Sequence, residues 1–403
     1  AVNENIELAL LYDDDDTIYL LGNTLFQLGF LEETKRVYNH LIDVNPNDDE
    51  LKIYLAEIEI EVGNELEALE LLHAIDQTSP SYAQSLLVQA DYYHINGLPE
   101  VSIQKLSEAL ELAPNEPIIQ FALGEVYFSI GEYQEALQYY EMLIEEGVEE
   151  GGGTLIHSRL GNANLMLANY DKASEHLNEV LSLKDDPEVY YQLGYIHIQQ
   201  EEYTKAIDSI NEARTIDPTL ISVYVLLAEA YEHLNQLEYA LEAIEEGIKF
   251  NEVSVELYLL AAEYAAKLSN FEKAKQYYQQ ALSMEPENEQ VVIKYGTYLN
   301  FMGEYEEVIE LFEQSPDTMK DLPEAMWILA KANNERDEYD QARALYDQAY
   351  QYLDDNLDYL KEYAFFLRED GQRDQLYEVL TKYTTMEPEY DEEIASLLED
   401  FTY

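Results

Sequence analysis

A small residue recurs through this 403-residue chain at Gly22, Ala56, Ala90, Gly124, Gly161, Gly194, Ala228, Ala262, Gly296, Ala330 and Ala364. The spacings are 34, 34, 34, 37 and 33, and then 34 five times. Sixteen residues after each stands a large apolar residue: Tyr38, Leu72, Leu106, Tyr140, Leu177, Ile210, Ile244, Tyr278, Phe312, Tyr346 and Leu380. Twelve residues after the small position, Ala appears in seven units (Ala68, Ala136, Ala173, Ala206, Ala240, Ala274, Ala342). Proline closes six units, at Pro46, Pro80, Pro114, Pro218, Pro286 and Pro388. Length alone would suggest two or three globular domains, but a fixed period of this kind marks a stacked array instead.

Each unit reads as helix, short turn, helix. In residues 117–150, Leu123, Gly124 and Tyr127 fall on one stripe of a first helix. Gly131 then stops it, as a left-handed C-terminal residue does. Ala136, Tyr140 and Leu143 share the inward face of a second helix. The small residues let two helix backbones approach, and the large ones fill the space beside them. One such pair cannot bury its apolar face alone, so the units must stack.

The period and its columns resemble the tetratricopeptide repeat (TPR) family, and within it the acidic cytosolic multi-repeat proteins of bacteria. The resemblance covers residues 15–390, and it implies an all-α fold. That fold is a right-handed superhelix of about eleven helix–turn–helix repeats whose first helices line a concave groove for partner segments. Columns depart from the pattern at Glu59, Asn164 and Asn333, where Leu or an aromatic residue is usual, and at Leu376 in the Ala column. The expected layout has an N-terminal helix or partial repeat over 1–14 and repeats 1–4 over 15–150. A glycine-rich bend follows at 151–153, then repeats 5–11 over 154–390 and a capping helix over 391–403.

Composition excludes several function classes. Lys and Arg number 22 against 84 Asp and Glu, a net charge of −62. Such a surface repels nucleic-acid phosphates and anionic membranes. A 47% apolar content with 36 Tyr separates the chain from acidic disordered segments. No Cys is present, so disulfides, Cys-ligated zinc and a Cys nucleophile are ruled out, which fits a reducing cytoplasm. No apolar run approaches a membrane span, and no signal-peptide pattern appears. Because the chain opens at Ala1, an envelope or secreted assembly factor stands as the alternative placement.

No HExxH, GxSxG or GxxxxGK[ST] motif occurs, so the expectation is a non-enzymatic protein without cofactor or metal. The seven His are read as lying in different repeats, none paired at i, i+4, with structural roles. Asp13–Asp16 lack the glycine turn and distal Glu of a calcium loop; their carboxylates suit the positive end of a helix dipole.

The resemblance implies that the second, fifth, ninth, twelfth and thirteenth positions of each first helix face the groove. In repeats 1–4 these positions include Tyr19, Asn23, Phe26, Ile53, Glu57, Asp91, Phe121, Glu125 and Phe128, and no Lys or Arg. Carboxylates among aromatic rings suit a basic partner segment. Residues 1–150 carry only Lys35, Arg36, Lys52 and Lys105 as bases. A second patch combines Trp327, Lys331, Lys361, Phe365 and Arg368, chemistry suited to an acidic peptide or terminal carboxylate. Through it a second copy of the chain could also dock on the acidic end. The Lys–Asn pair of a chaperone-type carboxylate clamp occurs in no unit: Tyr19 and Ser158 precede Asn23 and Asn162, and Phe365 follows Lys361.

Overall fold

The computed structural model describes residues 2–387, 391–399 and 401; Pro388 lies outside them. The described chain is all-α, with one two-residue strand pair, and it divides into two compact units, Ala1–Ile196 and His197–Tyr403. The first unit holds helix pairs such as Asp15–Gln27 with Leu31–Val44 and Pro117–Ser129 with Tyr133–Glu145. The second holds Val255–Lys267 with Phe271–Met284 and Pro323–Glu335 with Tyr339–Leu353. No helix among the described residues is long and apolar enough to cross a membrane.

The two sequence columns meet inside each pair. All eleven large residues are at most 5% exposed. A Cβ built on Gly22 would lie 2.5 Å from Tyr38 Cε1, and one on Gly124 would lie 2.5 Å from Tyr140 Cε1. Glycine at these two positions leaves the room that the Tyr ring takes, whereas Ala262 and Ala330 stand opposite Tyr278 and Tyr346. The Ala column is fully buried, and Leu376 takes its place in repeat 11 at 4% exposure.

The turn between the two helices carries a third column. Seven residues after every small position the backbone is left-handed: Gly29, Gly63, Gly97, Gly131, Ala168, Glu201, Asn235, Ser269, Gly303, Asp337 and Gly371. In repeat 4 the Gly131 N–H donates to the Phe128 carbonyl and the Glu132 N–H to the Tyr127 carbonyl, at 3.1 and 3.0 Å. This is a Schellman closure, and it satisfies carbonyls the helix end leaves open. Repeat 5 makes the same two bonds around Ala168, whose φ is 56°. A Cβ in that region is strained where glycine is not.

The irregular positions are each accounted for. Glu59 is fully buried and pairs with Lys35 at 2.5 Å, while Asn64 Nδ2 donates to its other oxygen at 2.7 Å. The side chains of Asn164 and Asn333 donate to the Leu160 and Leu329 carbonyls one turn earlier. Residues Glu150–Gly151 pair antiparallel with Thr154–Leu155, so the glycines form a small hairpin laid on the Phe121 ring. At the start of the chain, Val2–Tyr12 packs on Leu31–Val44 and buries Ile6 beside Val37 and Tyr38. Asp14 caps Asp15–Gln27 by accepting from the Thr17 N–H at 2.8 Å, the dipole role expected of that acidic run. At the other end Glu392–Glu399 buries Ile394 and Leu397.

One histidine expectation is corrected. His157 and His176 both belong to repeat 5, on Ile156–Met166 and Tyr170–Leu183, and their Nδ1 atoms lie 3.1 Å apart. The helix hairpin folds residues of opposite columns together, which i, i+4 spacing cannot reveal. One ring must donate and the other accept, so the pair has room for one proton between the two Nδ1 atoms. Burial, and then His157, hold the His176 pKa below its ordinary value; Lys172 acts the same way, while Glu175 and Glu141 oppose it.

Two outcomes follow for stability. Ala168→Gly and Ser269→Gly should each raise the unfolding free energy measured by urea titration, by about 0.5–1 kcal/mol once the greater freedom of the unfolded chain is deducted. Gly124→Ala should lower it by about 1–3 kcal/mol through the clash with Tyr140. For His176, the unfolded imidazole takes its proton as pH falls through about 6.5, while the folded one takes it only at lower pH. Stability is thus lost between about pH 6.5 and the depressed folded value. The drop in melting temperature from pH 7.5 to 5.5 should be smaller in His176→Gln than in the parent chain.

Candidate functional site

In the first unit the groove columns are carried by Asp15–Gln27, Asp49–Glu61, Tyr82–Ile95 and Pro117–Ser129. Tyr19 and Phe26 are half-buried, packed against the N-terminal core. The Asn23 side-chain oxygen accepts from Tyr38 Oη at 2.6 Å. Burial, then the charges of Tyr19 and Glu57, push the Tyr38 phenol up to about 12. Asn23 is thereby fixed on a neutral hydroxyl donor.

Ile53 departs from expectation. It is fully buried, in the cluster that joins Ala56, Ala68 and Leu72 of repeat 2 to Val88 of repeat 3. The next repeat covers it, so it belongs to the core and not to a binding surface. Phe121 is half-covered by Gly151 and Gly152, where an added Cβ would come within 2.6 and 2.8 Å of its ring. Phe128 makes an edge contact with Tyr133 at 5.2 Å.

The three carboxylates of the ninth position differ in company. Glu125 accepts from Tyr140 Oη at 2.6 Å and from Arg159 at 2.7 Å. Arg159 comes from repeat 5, beyond the nearly base-free stretch of repeats 1–4, so this charge is already matched. Glu57 and Asp91 have no cation paired with them among the described residues. Asp91 keeps an exposed surface, and Glu57 is half-buried. Burial raises both carboxyls; the charge of Asp91 raises Glu57 further, and His94 draws Asp91 partly back. Solvent reaches Asp91 while protein crowds it from the sides, which reconciles its exposure with its desolvation.

The C-terminal patch is already occupied by the chain's own carboxylates. Glu362 accepts from Trp327 Nε1 at 2.8 Å, from Lys331 Nζ at 2.8 Å and from Tyr346 Oη at 2.9 Å. Lys361 pairs with Asp391 at 2.9 Å and Glu393 at 2.5 Å, at the start of the capping helix. Those hydrogen bonds, Glu393 first, raise Lys361, and the bond from Lys361 leads in holding Asp391 down at about 2. Phe365 is half-buried against the terminal core, and Arg368 is exposed. An acidic peptide would have to displace these internal partners.

Glu362, Asp391 and Glu393 carry no sequence signal taken singly. Their signal is the period itself. Lys331 lies 31 residues before Glu362, Arg159 lies 34 after Glu125, and Arg214 lies 32 before Glu246. Opposite charges about one repeat apart sit on adjoining helices. The cavity lined by Thr297, Asn300, Phe301, Trp327, Ile328, Lys331 and Glu362 has a volume of about 250 Å³. Asn300 and Phe301 stand in the groove columns of repeat 9, so their place is legible from the same spacing.

Comparison with known proteins agrees with this architecture. The family described as YpiA-like, tetratricopeptide repeats, matches residues 95–148, and its C-terminal counterpart matches 323–390. A general tetratricopeptide repeat family matches 255–288. The TPR repeat-containing protein YpiA of Bacillus subtilis (strain 168) is 32% identical over 395 residues, 97% of this chain and 93% of its own length. A TPR repeat-containing protein of Methanocaldococcus jannaschii is 23% identical over 215 residues, 51% of this chain and 37% of that protein. The crystal structure of yeast Tom70 shares 15% identity with a TM-score of 0.43, covering 96% of this chain and 88% of that one. With a relative this similar along nearly its whole length, the chain belongs to the YpiA-like tetratricopeptide repeat proteins.

Proposed function

We propose that this protein is a non-enzymatic scaffold that holds a basic segment of a partner protein against the first helices of repeats 1–4. Tetratricopeptide repeat proteins generally mediate protein–protein interactions. The observation that carries the finer reading is the pair Glu57 and Asp91. They are crowded, raised in pKa and unmatched by any cation among the described residues, while Glu125 in the next repeat has Arg159. Tyr19, Phe26 and Phe128 offer ring surface on the same column set. A Lys- or Arg-bearing segment would relieve the repulsion between the two carboxylates and bury its stems on the rings. A protein that itself handles nucleic acid has the matching positive surface. The lack of Cys fits a cytoplasmic setting for such a partnership.

Cation binding favours the ionised forms of Glu57 and Asp91. Affinity should therefore rise from pH 4.5 to 7, with protons released on binding in that range. Affinity capture from native lysate at low salt should enrich a basic protein that is lost at high salt. With that protein in hand, Glu57→Gln combined with Asp91→Asn should slow association by about 5- to 10-fold at low salt. Glu125→Gln should do much less, because Arg159 already pairs with Glu125. A partner whose binding ignores salt, pH and the double substitution would overturn the reading.

A further inference from the structure

Outside the groove columns, repeat 5 brings two imidazoles together. His157 stands in the first turn of Ile156–Met166 and His176 midway along Tyr170–Leu183, both half-buried, with their Nδ1 atoms 3.1 Å apart. The ring centroids lie 5.3 Å apart, so the two Nδ1 atoms point almost straight at each other. With nothing between them, one ring holds its proton on Nδ1 and donates it to the other. The same separation suits another occupant. Imidazole nitrogens sit about 2.0–2.1 Å from a bound zinc ion. Two of them 3.1 Å apart subtend about 100° at the ion, between the octahedral and tetrahedral angles. Each ring has to turn by about 40° from facing its neighbour to facing the ion, which the broad terminal torsion of histidine permits. The charges of Glu175 and Glu141 reach His176 and favour a cation there, while Lys172 opposes them. All three side chains are exposed, Glu141 on Tyr133–Glu145 of repeat 4 and the other two on the helix of His176.

We infer that His157 and His176 form a two-histidine site for one divalent transition-metal ion of the zinc and nickel class, bound through both Nδ1 atoms while each ring keeps its proton on Nε2. No group of three or more His, Asp or Glu suited to a metal gathers among the described residues, so water fills the remaining positions. Imidazole selects zinc and nickel over magnesium and calcium, which take oxygen ligands and would settle on the abundant carboxylates instead. The ion joins the two helices of the hairpin whose turn closes on Ala168, at φ 56°, and not on glycine. The unfolded chain carries the same rings nineteen residues apart and binds more weakly, so the ion stabilises the folded hairpin. The inference does not rest on the acidic-groove reading. It concerns another repeat and another kind of ligand, and it stands if the basic-partner reading fails.

The full chain, stripped by a chelator and returned to excess magnesium to fill its carboxylates, is titrated calorimetrically at neutral pH with zinc chloride and with nickel chloride. One equivalent of each should bind, with a dissociation constant of about 1–100 µM, and should raise the melting temperature. His157→Gln and His176→Gln should each abolish that rise and weaken binding by more than the roughly 10-fold that loss of an outer-shell partner costs. His73→Gln, at an exposed histidine closing Glu65–His73, should change neither. Circular dichroism of the metal-free variants checks their fold, and a second measurement needs no substitution. Imidazole nitrogen NMR of the parent chain should show zinc converting one ring of the pair from the Nδ1–H to the Nε2–H form. Absence of a saturating equivalent, equal binding by the parent and both variants, or a loss in His73→Gln as large as theirs would overturn the assignment. So would imidazole tautomers that stay unchanged at saturating zinc, which would place the ion on carboxylates alone.

Discussion

Everything in this chain is arranged around the contact between a residue too small to stand in the way and a residue large enough to need the space. Gly22 and Tyr38, Gly124 and Tyr140, Gly161 and Leu177, and Gly296 and Phe312 are instances of one contact repeated. It sets the spacing of the two helices of a pair. It also fixes which face of the first helix is left over for other work. The large residue anchors polar groups as well: Tyr38 and Tyr140 pass through the gap and place their hydroxyls on Asn23 and Glu125. Packing and the polar surface are therefore coupled through single side chains, and a change in the contact would be felt at the groove positions.

Positive charge is scarce, and many of the bases are engaged in ion pairs between repeats. Arg159, Arg214, Lys267, Lys273, Lys294, Lys331, Arg343 and Lys382 all reach a carboxylate 27 to 35 residues away. That distance is one repeat, so these pairs tie successive hairpins together. Individually such partly exposed pairs contribute little. Their placement nonetheless decides which carboxylates stay unmatched. Glu57 and Asp91 lie in the stretch with the fewest bases, and their lack of partners is a product of where the bases were spent.

Much of this was legible in the sequence because a repeat makes each residue testify eleven times. Helix pairs, core columns and the stop at Gly131 follow from spacing alone. What spacing missed involves the third dimension of the stack. Ile53 shares a column with the half-buried Tyr19 and Phe121, yet Val88 of the following repeat helps close over it. Lys361 reads as a free cation until Asp391 and Glu393 fold back onto it. His157 and His176 are nineteen residues apart, a separation set by the hairpin and not by any helical period. The left-handed turn was half visible: Gly marks it in six units, while Ala168, Glu201, Asn235, Ser269 and Asp337 conceal it in five.

Those five concealed turns are not scattered. Four of them, at Ala168, Glu201, Asn235 and Ser269, occupy consecutive repeats, whereas the first four repeats close on glycine without exception. In an array whose stability is close to a sum over repeats and their interfaces, local strain lowers the term of the repeat that bears it. The first four repeats thus have the relaxed closures and repeats 5–8 the tense ones, while among the last three repeats only Asp337 departs from glycine. Ordinary repeat arrays fray from their termini; here the strained turns bias transient opening toward the interior, at repeats 5–8. Amide protons of those central hairpins would then exchange through a local route of their own, so that this chain has a soft waist between two better-closed ends.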